Sequence, residues 1–157
     1  MQQGQLMRAM RVSLLLCLLA LCLPGARSLA AGVNEAALLN EKPARLLSEY
    51  NLFSDGPAQI PVDGVLPYDL VTPLFSDYAS KFRFVHVPLG KTAAYADPEV
   101  FDFPVGSALI KTFAYPADLR APQKDVRLIE TRLLIRQPDG WKAWAYVWND
   151  DMRDARL

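Results

Sequence analysis

The sequence has very few of the residues that bind metals or attack substrates. It contains two cysteines, Cys17 and Cys22, and one histidine, His86, among 157 residues. Both cysteines lie within the first thirty residues. If that segment is removed, the remaining chain has no thiol, which excludes a disulfide, a thiolate metal site and a cysteine nucleophile. The lone His86 lies in a strand-like run and is interpreted as an ordinary strand residue.

Several motifs of known chemistry are also missing. The sequence has no glycine-rich phosphate loop, no HExxH zinc motif and no recognisable Ser-His-Asp arrangement. No cluster of lysine and arginine forms a basic stripe, so nucleic acid is not an expected partner. We therefore predict no catalytic residue, no metal and no cofactor in this chain.

The first thirty residues have the pattern of a secretory signal peptide. Arg8 and Arg11 precede an apolar run at residues 12–23, and Ser28 and Ala30 form a small-x-small cleavage site. The apolar run is short for a bilayer span, which makes an uncleaved anchor the weaker alternative. A lipoprotein site is weaker still, since leucine precedes both cysteines. The sequence predicts a periplasmic or secreted protein with no membrane association beyond the signal peptide.

Removal of residues 1–30 makes the chain slightly acidic. Three of the 17 basic residues lie there, so 14 remain against all 17 acidic residues, a net charge of −3. We expect a flexible lead-in at 31–42 and one β-rich domain at 43–157. Without a disulfide, such a domain depends on its core, and this length buries roughly two thirds of the surface of the unfolded chain.

Short strands separated by Pro/Gly turns dominate the domain. Pro43 and the apolar side chains of residues 46, 47 and 50 predict a short helix at 43–50. Residues 81–87 predict a strand with Phe82, Phe84 and His86 on one face, and 105–115 predict another. With no long helical pattern, the fold class is all-β: an antiparallel β-sandwich or barrel-like domain after a short N-terminal helix.

The clearest element is a β-hairpin at residues 126–150. Two strand-like runs, VRLIETRLLIRQ and WKAWAYVWND, flank the turn residues Pro138, Asp139 and Gly140. The second run contains all three tryptophans of the chain. This hairpin is expected to contribute a large part of the stability.

Two registers of the hairpin compete. A three-residue loop at 138–140 would pair Leu134 with Trp144 and leave both faces mixed. A two-residue loop at 139–140 would pair Leu133 with Tyr146 and collect the bulky side chains on one face. Turn chemistry favours the first register and hydrophobic segregation favours the second. We predict the first, because proline is favoured at the first central position of a turn.

A candidate ligand or interaction face lies on the same hairpin. Aromatic rings could stack on a sugar if exposed, although packing in the core is the default interpretation. Catalysis by a carboxylate at Glu130 or Asp102 and calcium binding by the acidic residues 149–154 are weaker alternatives, since neither has a second defined partner or an EF-hand pattern. The candidate face consists of Glu130, Arg132, Trp144, Tyr146 and Trp148.

Six segments together resemble one protein family, the exported bacterial proteins described as di-haem c-type cytochrome-like. The match is to their N-terminal domain, and similar domains occur next to quinoprotein sugar dehydrogenase-like modules. It covers nearly all of residues 43–157. The segments are LSEYNLF (47–53), PY with TPLFSDY (67–78), FDFPVG (101–106), KTF (111–113), IETRLL (129–134) and YVWN (146–149).

The resemblance implies a non-catalytic accessory domain of a redox protein, which positions a haem c module or docks a periplasmic redox partner. In that family the CxxCH haem-attachment motifs lie downstream of this domain. This sequence has no CxxCH, so no haem-binding residue carries over. The resemblance also implies a domain truncated at its C terminus. The alternative function is a ligand- or carbohydrate-binding β-domain with an aromatic face.

Overall fold

The structure is a computed structural model that describes residues 32–157. The predicted signal peptide lies outside the described residues. In the described part of the chain, no helix is long and apolar enough to cross a membrane.

Six strands form one antiparallel sheet in chain order, and two strands that precede them in the chain pair in a separate two-stranded sheet. This arrangement confirms the predicted all-β antiparallel fold. The helical elements are α1 (Glu35–Leu38) and a 3₁₀ helix (Leu47–Tyr50). The small sheet consists of β1 (Phe53–Asp55) and β2 (Ile60–Pro61). The large sheet consists of β3 (Val65–Pro67), β4 (Ser80–His86), β5 (Ala108–Pro116), β6 (Val126–Gln137), β7 (Gly140–Trp148) and β8 (Ala155–Arg156), each paired with the next.

The core lies between the large sheet and the N-terminal elements. Phe84 on β4 and Leu133 on β6 are buried on the sheet side, and Tyr50 and Leu52 are buried opposite them. The ring of Phe53 on β1 packs edge-on against Phe84, with centroids 5.2 Å apart. The domain is therefore sandwich-like, and we call the covered side of the large sheet its inner face. The predicted strand at 81–87 is confirmed, with Phe84 and His86 buried on that face.

The N-terminal segment differs from the prediction. Residues 31–42 are predicted as a lead-in, yet α1 lies within this stretch and Leu38 is 0% exposed in the core. The helix predicted at 43–50 is one 3₁₀ turn, because Leu46 is extended and pairs with Arg156, and Asn51 takes a left-handed φ of 50°. Pairing with the edge strand β8 therefore replaces the first turn of the predicted helix.

Buried side chains of the sheet hold this segment in place. The Tyr146 hydroxyl donates to the Ala44 carbonyl at 2.9 Å and lies 2.8 Å from the Tyr50 hydroxyl. The Gln137 side-chain amide donates to the carbonyls of Leu38 and Asn40 at 3.0 and 2.8 Å. These bonds satisfy backbone carbonyls at and after the C-terminal end of α1, which would otherwise be costly to bury.

Both predicted hairpin registers are wrong. Gln137 pairs with Gly140, so Pro138 and Asp139 alone form the turn, and Leu133 lies opposite Trp144. Neither central residue has a positive φ, whereas Gly140 has φ 132°, which agrees with a type I turn that takes proline second and glycine fourth. The pairing moves the glycine into β7 and collects the bulky side chains on the inner face, as hydrophobic segregation favours.

A β-bulge in β6 lies directly before Glu130. Phe113 pairs with Glu130, but the next residue, Ala114, pairs with Leu128, which leaves Ile129 as the extra residue. Leu128 and Thr131 are therefore both buried although they are three positions apart. The bulge therefore returns Leu128 to the core, while Glu130, which alternates with Thr131, lies on the side of the sheet away from the core.

Candidate functional site

The side of the large sheet away from the core, which we call the outer face, carries an unusual set of side chains. On each strand these side chains alternate with the core residues, and the pairing aligns them in rows across β4, β5, β6 and β7. The rows are Val85–Leu109–Leu134–Ala143, Arg83–Lys111–Arg132–Ala145 and Lys81–Phe113–Glu130–Val147.

Three cations of the middle row, Arg83, Lys111 and Arg132, lie directly opposite one another, and we call them the cationic row. Like charges directly opposite each other in a sheet are destabilising. Burial lowers the pKa of Lys111, and the charges of Arg83, Lys81 and Arg132 lower it further. The cationic row therefore concentrates positive charge at the centre of the outer face.

Carboxylates on this face compensate only part of that charge. Glu130 pairs with Arg132 at 2.5 Å, while Asp69 lies 3.8 Å from Arg83 and its side chain is 93% exposed. Among the residues that the structure describes, no carboxylate lies within salt-bridge distance of Lys111. Its ammonium group instead lies 4.5 Å from the centroid of the Phe113 ring.

A cleft of about 390 Å³ lies over the cationic row. This volume falls within the ~300–1,000 Å³ range typical of small-molecule sites. Lys111, Arg132 and the phenol of Tyr68 supply its polar side chains, and the rest of the lining is mainly apolar. The remaining lining residues are Leu109, Ile110, Leu133, Leu134, Ala143, Trp144 and Ala145.

Exposed aromatic side chains border the outer face. Next to β4, Phe75 and Tyr78 are exposed and contact each other edge-on at 5.2 Å, and the Lys81 ammonium donates to the Leu74 carbonyl. At the start of β7, the Trp141 ring packs against Phe103 with centroids 6.0 Å apart. The outer face thus has apolar borders in addition to its apolar rows.

The five residues of the predicted interaction face lie on opposite sides of the sheet. Glu130 and Arg132 are on the outer face, whereas Tyr146 and Trp148 are 0% and 7% exposed in the core. Trp144 is half-buried and packs against the core on the inner face. These tryptophans and this tyrosine therefore do not form an exposed sugar-stacking face. The hairpin register decides this, since it turns the even residues of β7 inward.

The residues named in the weaker sequence alternatives have structural partners. Glu130 has a charged partner in Arg132, and Asp102 forms an isolated backbone bridge with Ala94. In the acidic segment, Asp150 pairs with Arg127 at 2.8 Å, and the Ser48 hydroxyl donates to Asp154 at 2.6 Å. Within residues 32–157, no group of three His, Cys, Asp or Glu side chains could hold a metal ion.

His86 has a structural position, as the sequence suggests. It is 4% exposed, and its Nδ1 lies 2.9 Å from the Gly64 carbonyl in the turn before β3. Its Nε2 lies 3.8 Å from a Glu35 carboxylate oxygen on α1. The ring therefore joins β4 to the N-terminal cover of the core and does not face the cleft.

Sequence reasoning missed Tyr68, Arg83 and Lys111 as site residues. Each cation stands in a different strand, so no basic stripe is visible in the linear sequence. The available signal was the alternation in 109–113, where Lys111 lies between Leu109 and Phe113 on one strand face. When neighbouring strands each carry a cation between apolar residues, and the cations lie at the same level, the shared face of the sheet is amphipathic.

We expect Lys111→Met to stabilise the domain by about 0.5 kcal/mol at neutral pH and low salt. The substitution removes a half-buried charge and its repulsion with Arg83 and Arg132 while it keeps the apolar stem. Urea unfolding at low and high ionic strength measures the effect, and added salt should reduce the gain. Lys91→Met, in an exposed turn, serves as the control. A destabilised Lys111→Met protein would contradict the repulsive role of the row.

Comparisons with known proteins return no match to a family model, to a curated protein or to a solved structure.

Proposed function

We propose that this chain is an exported, non-catalytic accessory domain of a c-type cytochrome-like redox protein and that it binds its partner through the outer face. The observation that supports this most is the composition of that face. A sheet with one solvated face usually alternates apolar inward and polar outward residues. Here Leu134 and Val147 are 37% and 59% exposed on the solvated side, next to the cationic row.

The apolar side chains of the outer face lie outside the buried core. The inner face already forms one core with α1, the 3₁₀ helix and the small sheet. Exposed apolar areas of several hundred Å² rimmed by polar groups are typical of interaction sites. The cationic row adds charge that could select an acidic partner and accelerate its association.

The family resemblance supplies the proposed partner and compartment. The signal-peptide pattern supports export to the periplasm, where the partner would be a haem c module or a periplasmic redox protein. Haem would belong to that partner, since this sequence has no CxxCH.

Site-specific photo-crosslinking in the native host tests this proposal. A photoreactive phenylalanine analogue at Ala143, on the outer face, should give a crosslinked product that stains for haem. The same analogue at Glu41, which is exposed near α1 on the opposite side of the sheet, should not give that product. Equal crosslinking from both positions, or an Ala143 product without haem, would contradict the proposal.

A ligand-binding β-domain is the second candidate, and the cleft over Lys111 and Arg132 favours it. A carbohydrate held by the hairpin aromatics has less support, because Tyr146 and Trp148 are buried. A ligand of this cleft would have to satisfy two cations and an apolar lining together.

A further inference from the structure

We infer that the cleft at the centre of the outer face binds an organic carboxylate with an apolar body, such as a medium-chain fatty acid. The inference rests on the proposed function in one respect, namely that the outer face is a binding face. It adds the class of small molecule that this face would accept.

The cations define the head group of the ligand. Lys111 has no carboxylate partner among the described residues, and Arg132 uses one guanidinium nitrogen for Glu130. A ligand carboxylate between these two side chains would accept charge-assisted hydrogen bonds from both. The ligand carboxylate would also reduce the repulsion within the cationic row. At Lys111, no carboxylate of the described residues has this effect.

The polar groups of the cleft are suited to one small anion. Lys111 and Arg132 line it together, and the Tyr68 phenol is the third polar side chain. Arg83 lies one strand away and is largely buried. It adds to the positive electrostatic potential of the cleft but is not one of the residues that line it. This set can neutralise a carboxylate, but it has no carboxylate or amide side chain to recognise the hydroxyls of a sugar.

The apolar row next to the cations defines the body of the ligand. Leu109, Leu134 and Ala143 lie side by side across β5, β6 and β7, one level along the strands from Lys111 and Arg132. All three line the cleft. An alkyl chain lying across this row would bury apolar surface on both partners, at about 25 cal/mol per Å². A small inorganic anion would leave this row uncovered.

Isothermal titration calorimetry with decanoate, below its micelle-forming concentration, tests the inference on the protein without its predicted signal peptide. 1-Decanol keeps the chain without the charge, and acetate keeps the charge without the chain. We expect decanoate to bind at least about tenfold more tightly than either compound. Its affinity should fall as sodium chloride is added, because part of the attraction is ionic.

Variants identify the site. Lys111→Gln should weaken decanoate binding about tenfold, and Lys111→Gln with Arg132→Gln should abolish it. Arg153→Gln removes an exposed charge in the β7–β8 loop and should bind decanoate like the unaltered chain. Circular dichroism confirms that each variant is folded. Leu134→Ser tests the apolar row separately and should weaken decanoate without changing the response to acetate.

Three results would overturn the inference. The first is no decanoate binding by the folded protein, and the second is 1-decanol binding as tightly as decanoate. The third is unchanged decanoate binding in the folded double variant. None of these results affects crosslinking from Ala143, which measures partner binding. The ligand inference and the proposed function can therefore fail independently. Crosslinking with no decanoate binding would leave a docking face whose cleft does not accept the carboxylate.

Discussion

Replacing Trp148 by alanine should lower the free energy of unfolding by about 3–5 kcal/mol, the range for removal of a large buried aromatic side chain. Trp148 is the most buried of the three tryptophans, at 7% exposed. Gly56 lies against its ring, such that a Cβ on this glycine would be 3.2 Å from it. The cavity left by alanine would therefore lie between β7 and the segment that follows β1.

The indole nitrogen makes the loss larger than packing alone. Trp148 Nε1 donates to the Thr131 hydroxyl at 2.9 Å, and Thr131 shares a 2.8 Å hydrogen bond with Thr112. Both threonines are fully buried, and they lie opposite each other on β5 and β6. Trp148→Phe should keep most of the packing and cost about 1–2 kcal/mol, because it removes this buried donor.

Urea denaturation of Trp148→Ala, Trp148→Phe and Trp144→Ala distinguishes these contributions. Trp144 is only half-buried and makes no comparable hydrogen bond to any described residue of the core, so Trp144→Ala should cost less than Trp148→Ala. Equal losses in the two alanine variants would contradict the structure, since both tryptophans would then be equally important to the core.

Local alternation explains which parts of the fold could be predicted. The strand at 81–87 alternates Phe82, Phe84 and His86 with Lys81 and Arg83, and this pattern fixes both element and face without further knowledge. The all-β class follows in the same way from short strands and frequent Pro/Gly turns. These features depend on neighbouring residues along the chain, so the sequence alone determines them.

Features set by contacts between distant residues were not predictable. The hairpin register depends on whether Gly140 belongs to the turn or to β7, and the local sequence permits both. The position of α1 against the sheet depends on hydrogen bonds from the side-chain amide of Gln137, about a hundred residues further along the chain. Each of these elements is short, and its local pattern is too weak to indicate its partner.

The candidate site shows the same limit more strongly. Glu130 and Arg132 were found because they lie on one strand with a clear alternation. Lys111 and Arg83 become their neighbours only through the pairing of β4, β5 and β6, which includes a bulge at Ile129. A shift of one residue in either pair would disperse the cationic row, since alternate residues face opposite sides.

The outer and inner faces therefore have different roles in this domain. Buried hydrogen bonds on the inner face join the sheet to its cover, as that of Tyr146 does, or link neighbouring strands, as that of Thr131 does. Opposed cations on the outer face reduce stability without contributing to the core. Variants of the inner face should change unfolding, and variants such as Lys111→Gln should change binding. This separation makes the functional proposals testable in proteins that remain folded.

Tyr146 should make the domain lose stability at alkaline pH. Its hydroxyl is buried, and burial raises the pKa of this phenol above its ordinary value, with the bond to Tyr50 raising it further. In the unfolded chain a tyrosine titrates near pH 10, on the order of its reference value. Below that pH both states keep the proton, so the stabilising contribution is complete. Above it the unfolded state releases a proton that the folded state retains.

The stability should therefore fall by up to about 1.4 kcal/mol per pH unit above pH ~10, through this residue alone. Tyr146→Phe should cost roughly 1–3 kcal/mol at pH 7, because the Ala44 carbonyl and the Tyr50 hydroxyl lose their buried partner. The same variant should also lose less stability than the unaltered chain between about pH 9 and about pH 12, a range that includes the reference pKa of tyrosine.

Urea unfolding of the unaltered chain, Tyr146→Phe and Tyr115→Phe across this alkaline range provides the measurement. Tyr115 is 43% exposed at the end of β5, so its phenol contacts water in the folded and unfolded states alike. Tyr115→Phe should therefore keep the alkaline loss of the unaltered chain, whereas Tyr146→Phe should flatten it. An equally steep loss in Tyr146→Phe would show that the buried phenol is not the group that resists deprotonation. The hydrogen bonds that join β7 to the N-terminal segment would then have no part in the response to pH.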